Sequence, residues 1–169
     1  HFPYFAQRYL AGEPFFDIHP PVAKWLIAFS EWLFGYNTSA DYSTALTGAG
    51  ASDYFTRIIP TILGPFSFSW RFMPYLFGMG LLMVVWLLVW RITKSWQAAF
   101  FALLTCGTDS LLFVYSRTGL MDGIMYFFVF ASFLACVTAL VQKKPWKQLS
   151  YLALAGVFAG LGMSVKWLG

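Results

Sequence analysis

Asp17, His19 and Lys24 surround the dipeptide Pro20-Pro21, just before a short apolar stretch. Arg71 opens a long apolar run. Arg117 and Asp122 flank a brief turn between two more runs, and Lys166 closes the last. Asp109 lies within the second run, about two helical turns from Arg117 at roughly 1.5 Å per residue. An ionisable group at membrane depth costs at least ~2.5–3.5 kcal/mol on insertion scales, so it faces protein or a wet cavity. Lys24, Arg71, Arg117 and Lys166, together with the acids, could line one such cavity. Cations gathered there suit a phosphate, and carboxylates suit a hydroxyl that must lose a proton.

Each residue also has a plainer reading. Arg71 and Lys166 stand near run ends and could snorkel to headgroups. Arg117 and Asp122 could be a structural ion pair across the turn, and Asp109 a buried acid paired with a neighbouring helix. His19 could be a turn residue, and Glu13 and Glu31 read as solvated. Gly156 and Gly160 form a small-xxx-small face that suits helix packing. Cys106 and Cys136 sit inside apolar runs as small core residues.

The elements that must position these groups follow from composition. Hydrophobic residues are 59% of the 169 and charged residues 11%, against roughly 25% charged in soluble domains. The aromatic share is 21%, with eight Trp, residues that favour membrane interfaces. A soluble domain of this length could not hide so much apolar surface. The expected fold is an all-α membrane bundle with about four spans, over 72–91, 98–115, 121–141 and 149–167, since about 20 residues cross the hydrocarbon core. Residues 1–70 form a loop carrying an amphipathic helix over about 21–35. That helix is too short to cross, starts at Pro20-Pro21, and reads as lying in the interface. Chain positions 1–70 and 71–169 are therefore read as loop and bundle.

Sidedness comes from the tight turns. Arg91 and Lys94 follow the first span, and Lys143, Lys144 and Lys147 follow the third. Cations without acids in short turns mark the cytoplasmic side. The loop 1–70, the turn 116–122 and the end of the fourth span are then extracytoplasmic. Asn37-Thr38-Ser39 is a glycosylation sequon that matters only in a eukaryotic secretory compartment. The chain starts at His1 with no initiator Met and stops directly after an apolar run, so it reads as an internal piece of a longer protein. Zincin, clustered-Cys, phosphate-loop and Gly-x-Ser-x-Gly motifs are absent. The cations form no soluble basic face, so nucleic acid is not an expected partner.

The stretch Pro14-Phe15-Phe16-Asp17-Ile18-His19-Pro20-Pro21-Val22-Ala23-Lys24 resembles the first extracytoplasmic loop of the protein O-mannosyltransferase family. More broadly, it is similar to bacterial phospholipid-carrier-dependent glycosyltransferases. Trp70-Arg71, Ser116-Arg117 followed by Leu120-Met121-Asp122, and Ser164 to Gly169 agree in order. The opening His1-Phe2-Pro3-Tyr4-Phe5-Ala6 resembles the stretch after the family's Asp-Glu motif, and the region 37–70 matches least.

The resemblance implies a GT-C-type bundle that moves a sugar, mannose in this family, from a polyprenyl phosphate to an acceptor hydroxyl, commonly protein Ser or Thr, with inversion. The main catalytic Asp-Glu pair would fall immediately before His1, so this piece alone is expected to be inactive. Asp17 and Asp122 are the catalytic candidates within it, Asp122 as an acid that lipid A aminoarabinose transferases also carry, positioning substrate or a divalent cation. Arg71, His19, Arg117, Lys166 and Lys24 are the lipid-phosphate candidates. No resident metal or cofactor is expected beyond that cation. Partners would be membrane lipids, the polyprenyl-phosphate sugar and a protein or glycan acceptor, in a bacterial plasma membrane rather than endoplasmic reticulum. Alternative readings are a lipid- or glycan-modifying transferase, a transporter, for which polar groups near the midplane are expected, and a non-catalytic membrane subunit.

Overall fold

The computed structural model describes residues 2–12, 19–34, 67–110, 114–115 and 120–166, and every regular element among them is helical. Among the described residues the helices run in the order α1 (Phe2–Ala11), α2 (Val22–Phe34), α3 (Ser67–Thr93), α4 (Trp96–Thr108), α5 (Asp122–Leu140) and α6 (Pro145–Met163). The sequon and the rest of 35–66 lie outside the described residues, as does Glu13.

Local chemistry sets the ends. Lys94 takes a left-handed φ of 57° after α3, and its amide returns to the Trp90 carbonyl at 2.9 Å, the usual way to close a helix. Ser95 then caps α4, its hydroxyl accepting from the Ala98 amide at 3.3 Å. Asp122 sits in the first turn of α5, where a negative charge meets the positive end of the helix dipole. Pro145 starts α6, where its missing N–H costs nothing.

α5 lies at the centre, packed on α3 and α6, while α4 packs on α3. The α5–α6 contact is built from small residues. A Cβ at Gly162 would fall 3.4 and 3.5 Å from Val129 and Phe128 of α5, and the Ser132 hydroxyl donates to the Ala155 carbonyl at 2.9 Å. Close backbone approach of this kind is how helices associate in lipid, where burial of apolar surface gives little drive. On the other side of α5, Phe77 of α3 stands edge-on to Phe127 at 5.0 Å, and Gly80 lies under the same ring.

α3 (from Phe68) and α5 are long and apolar enough to cross a membrane. Within the expected span 98–115, α4 ends at Thr108, and helical backbone is described again at 110 and 114–115. The 13 residues of α4 reach about 20 Å, short of a ~30 Å hydrocarbon core. Thr105 and Thr108 turn their hydroxyls onto the carbonyls of Phe101 and Leu104 at 2.8 and 2.9 Å. Asp109 leaves the helix with extended backbone.

The region expected as an interfacial helix is α2, with its faces sorted in an instructive way. Ala23, Lys24, Ile27, Ala28, Ser30 and Glu31 are buried, Ala23 against the start of α5 and the exit of α6 and Ile27 and Ala28 against α1 and α3, while Trp25, Phe29, Trp32, Leu33 and Phe34 are exposed. Glu31, expected to be solvated, is only 2% exposed. Glu31 is buried because it shares a face with Lys24, Ile27, Ala28 and Ser30, the face on which the neighbouring helices pack, so the aromatic stripe is the one left outside.

Gly80 gives a direct test of the α3–α5 contact. A Cβ there would fall 2.9 Å from the Phe127 ring. Gly80→Leu should therefore destabilise by roughly 1–3 kcal/mol through overpacking, exceeding the ~1 kcal/mol gain in helix propensity. Thermal unfolding in detergent should show a lowered midpoint; an unchanged one would mean that the helices are not this close.

Candidate active site

Val22 begins α2, and its amide donates to the carbonyl of Ser164, just past α6, at 3.2 Å. Ala23 is fully buried beside Met121, Ile124, Met125 and Phe128 of the α5 start and Val165 of the α6 exit. Two turns further along α2, the Ser30 hydroxyl donates to the Ser69 carbonyl at the start of α3. Ile27 and Ala28 pack there with Ala6, Leu10 and Trp70. α2 is thus tied to the starts of α3 and α5 and the end of α6. The basic turns at 91–94 and 143–147 stand at the far end of the bundle.

The candidate residues distribute over this end. Lys166 donates to Asp122 Oδ1 at 2.9 Å, joining the exit of α6 to the first turn of α5. Asp122 is 17% and Lys166 39% exposed, so the ammonium keeps contact with its surroundings. The Asp122 carboxylate holds the ammonium above its ordinary 10.5, by its hydrogen bond and then by its charge, against the opposing effect of burial. The phenols of Tyr115 and Tyr126 act in the same direction.

His19 is half-buried three residues before Val22, and its carbonyl accepts from the Lys24 ammonium at 2.7 Å. Lys24 is only 2% exposed. Arg71 is half-buried two residues after Ser69, its guanidinium 4.6 Å from the centroid of the Trp70 ring. The two anchor points of α2, Val22 and Ser30, are about 12 Å apart at 1.5 Å per residue, so α2 stands between the Arg71 level and the Lys166 level. Asp109 is exposed at the end of α4. Asp17 and Arg117 lie outside the described residues.

Sequence reading overlooked the hydroxyl and carbonyl contacts of Ser30, Ser69 and Ser164, which carry no motif. It also overlooked Tyr126, whose position one helical turn after Asp122 was a usable signal. Among the described residues, no three His, Cys, Asp or Glu side chains gather as metal ligands.

The family model described as dolichyl-phosphate-mannose-protein mannosyltransferase matches residues 1–169. The chain belongs to this family. It is 31% identical over 90% of its length to a polyprenol-phosphate-mannose–protein mannosyltransferase of Mycobacterium tuberculosis. The counterpart in Mycolicibacterium smegmatis is 30% identical over the same share. Dolichyl-phosphate-mannose–protein mannosyltransferase 4 of Candida albicans is 27% identical over the full chain. The chain spans 27%, 28% and 21% of the length of these three relatives. No solved structure matches it. As a member of an integral membrane family, it has in the bilayer the apolar surroundings that the outward faces of α2, α3 and α5 require.

The Asp122–Lys166 pair has a defined pH signature. Because the Lys166 value is raised in the fold, its contribution is complete below about 10.5 and is lost only as pH climbs through the raised value. A double-mutant cycle of Asp122→Asn and Lys166→Met should give a coupling on the order of 0.5–1 kcal/mol, as suits a partly exposed pair. Between about pH 6 and 9 the coupling should stay flat. A coupling that fades across that interval would mean that the pair is not the ion pair seen here.

Proposed function

We propose that the parent protein transfers mannose from a polyprenyl-phosphate carrier to a protein hydroxyl, and that this chain supplies much of the surface that holds the carrier phosphate. The observation that carries the reading is the tie between Val22 and Ser164, 3.2 Å long, which joins the His19 segment to the turn bearing Lys166. A first-loop histidine and a cation at the end of α6 then belong to one end of one bundle. The relatives named as polyprenol- and dolichyl-phosphate-mannose–protein mannosyltransferases support the same reaction.

In the proposed step, the bond between the sugar C1 and the phosphate oxygen breaks while the acceptor oxygen bonds to C1 from the opposite face. The acceptor proton passes to a carboxylate, and the carrier phosphate leaves with the additional negative charge. Fixed cations act on that developing charge, the situation in which positioned electrostatics contribute most. Arg71 is the foremost phosphate ligand, since a guanidinium matches two phosphate oxygens at once. Lys166, His19 and Arg117 complete the set.

Asp122 is engaged by Lys166 at 2.9 Å, and in this reading it orients that ammonium. Asp17 remains the carboxylate of this chain assigned to the acceptor side, beside the Asp-Glu pair that the family resemblance calls for. The site opens on the extracytoplasmic face, opposite the lysine-bearing turns, and the compartment is a bacterial plasma membrane, in keeping with the mycobacterial relatives.

The test uses the full-length protein in membranes with polyprenyl-phosphate mannose and an acceptor peptide. Transfer from the lipid-linked donor is expected, and none from a nucleotide sugar. Arg71→Ala should lower kcat about 10²- to 10³-fold, the range for loss of one group that stabilises transition-state charge, with insertion unchanged. Absence of lipid-dependent transfer in the wild type overturns the function. Undiminished transfer in Arg71→Ala removes that residue from the phosphate site.

A further inference from the structure

We propose that Lys24 is a positioning residue, whose ammonium fixes the backbone of His19 and does not meet the carrier phosphate. The proposal deepens the transferase reading and rests on it for its functional consequence, while its geometry stands alone.

Three observations converge on it. Lys24 is 2% exposed, its ammonium donates to the His19 carbonyl at 2.7 Å, and it stands 5.6 Å from the centroid of the Phe5 ring in α1. A buried ammonium is costly. A side chain that normally trails into solvent is here turned onto the protein.

The sequence around it explains what the contact does. His19 precedes Pro20-Pro21, which lack N–H groups, and the residue before a proline is held to extended backbone. The next available amide, Val22, is committed to Ser164, and that of Trp25 to Pro21 at 2.9 Å. Pro20 and Pro21 offer the bend no backbone donor, and the Lys24 ammonium donates to the His19 carbonyl there. It joins the His19 turn, α2 and α1 in one contact.

α2 keeps its seat by other means. The Ser30–Ser69 hydrogen bond, the Val22–Ser164 hydrogen bond and the packing of Ala23, Ile27 and Ala28 do not involve Lys24. Loss of the ammonium should release the turn and leave the helix.

The experiment uses the full-length protein carrying His19→Cys as a reporter for maleimide labelling in detergent. Lys24→Met, close in volume but without charge, should raise the labelling rate about fivefold by populating an open turn. Should that variant fail to insert, Lys24→Gln, with a shorter neutral donor, is read by the same labelling and should give a smaller rise. An unchanged rate overturns the proposal, whether or not mannose is transferred. With His19 intact, Lys24→Met should lower kcat about tenfold as a misplacement effect, with the donor KM moving less than about twofold. A raised donor KM with unchanged labelling would instead make Lys24 a phosphate ligand and sink the positioning role.

Discussion

The packing of α2 with its charged stripe inward is the constraint on which the rest of this end of the molecule depends. Lys24, Ser30 and Glu31 lie on the face that meets α1 and α3, and Trp25, Phe29, Trp32 and Leu33 lie on the other. In water such a helix would be arranged the other way round. A full apolar side chain is worth roughly 1.5–3 kcal/mol when removed from water, and four of them would outweigh a few polar contacts. The inward polar face is favourable only where the outer surroundings are apolar too, and where an unsatisfied polar group would cost more than it does in water. The bilayer satisfies both conditions. Once α2 is seated this way, its first amide reaches Ser164 and its Ser30 reaches Ser69, so the chain entering from His19 and the chain leaving toward Arg71 are held at set levels.

The helices beneath it are held by a different kind of contact. Gly162 on α6 lets that helix lie close to Met125, Phe128 and Val129 of α5, and a hydroxyl–carbonyl bond from Ser132 joins them midway. The Asp122–Lys166 pair closes the same two helices where they reach α2. Its energetic worth is modest because Lys166 is 39% exposed, and a half-exposed pair is weakened by solvent. Its geometric worth is larger. It fixes an ammonium that still faces outward at the exit of α6, with Tyr115 and Tyr126 close enough to strengthen its charge.

Much of this was legible before any coordinates. The uncharged runs located α3, α5 and α6, Pro20-Pro21 located the start of α2 within a residue, and the motif around His19 led to the family that the whole chain matches. Among the described candidates, His19 and Lys166 are joined at one end through the Val22–Ser164 hydrogen bond. Three features did not follow. Hydropathy read 98–115 as one run and does not register the extended backbone at Asp109 that interrupts it between Thr108 and residue 110. Periodicity gave the two stripes of α2 but could not say which one meets protein, so Glu31 was assigned to solvent. The partner of Lys24 is a backbone carbonyl, and carbonyls leave no trace in residue identity.

Burial separates the cations that residue type alone left equivalent. A group that binds a phosphate must have N–H bonds free to point into the space the phosphate will occupy, and it must hold them there before the ligand arrives. Lys24 fails the first condition at 2% exposed. Lys166 meets both, since Asp122 takes one hydrogen and holds the head group while the rest of it faces out. Arg71 is half-buried with its guanidinium near the Trp70 ring, an aromatic surface that orients it. A buried lysine that shapes the turn, a paired lysine and an arginine oriented by an aromatic ring form a division of labour that a count of positive charges cannot express.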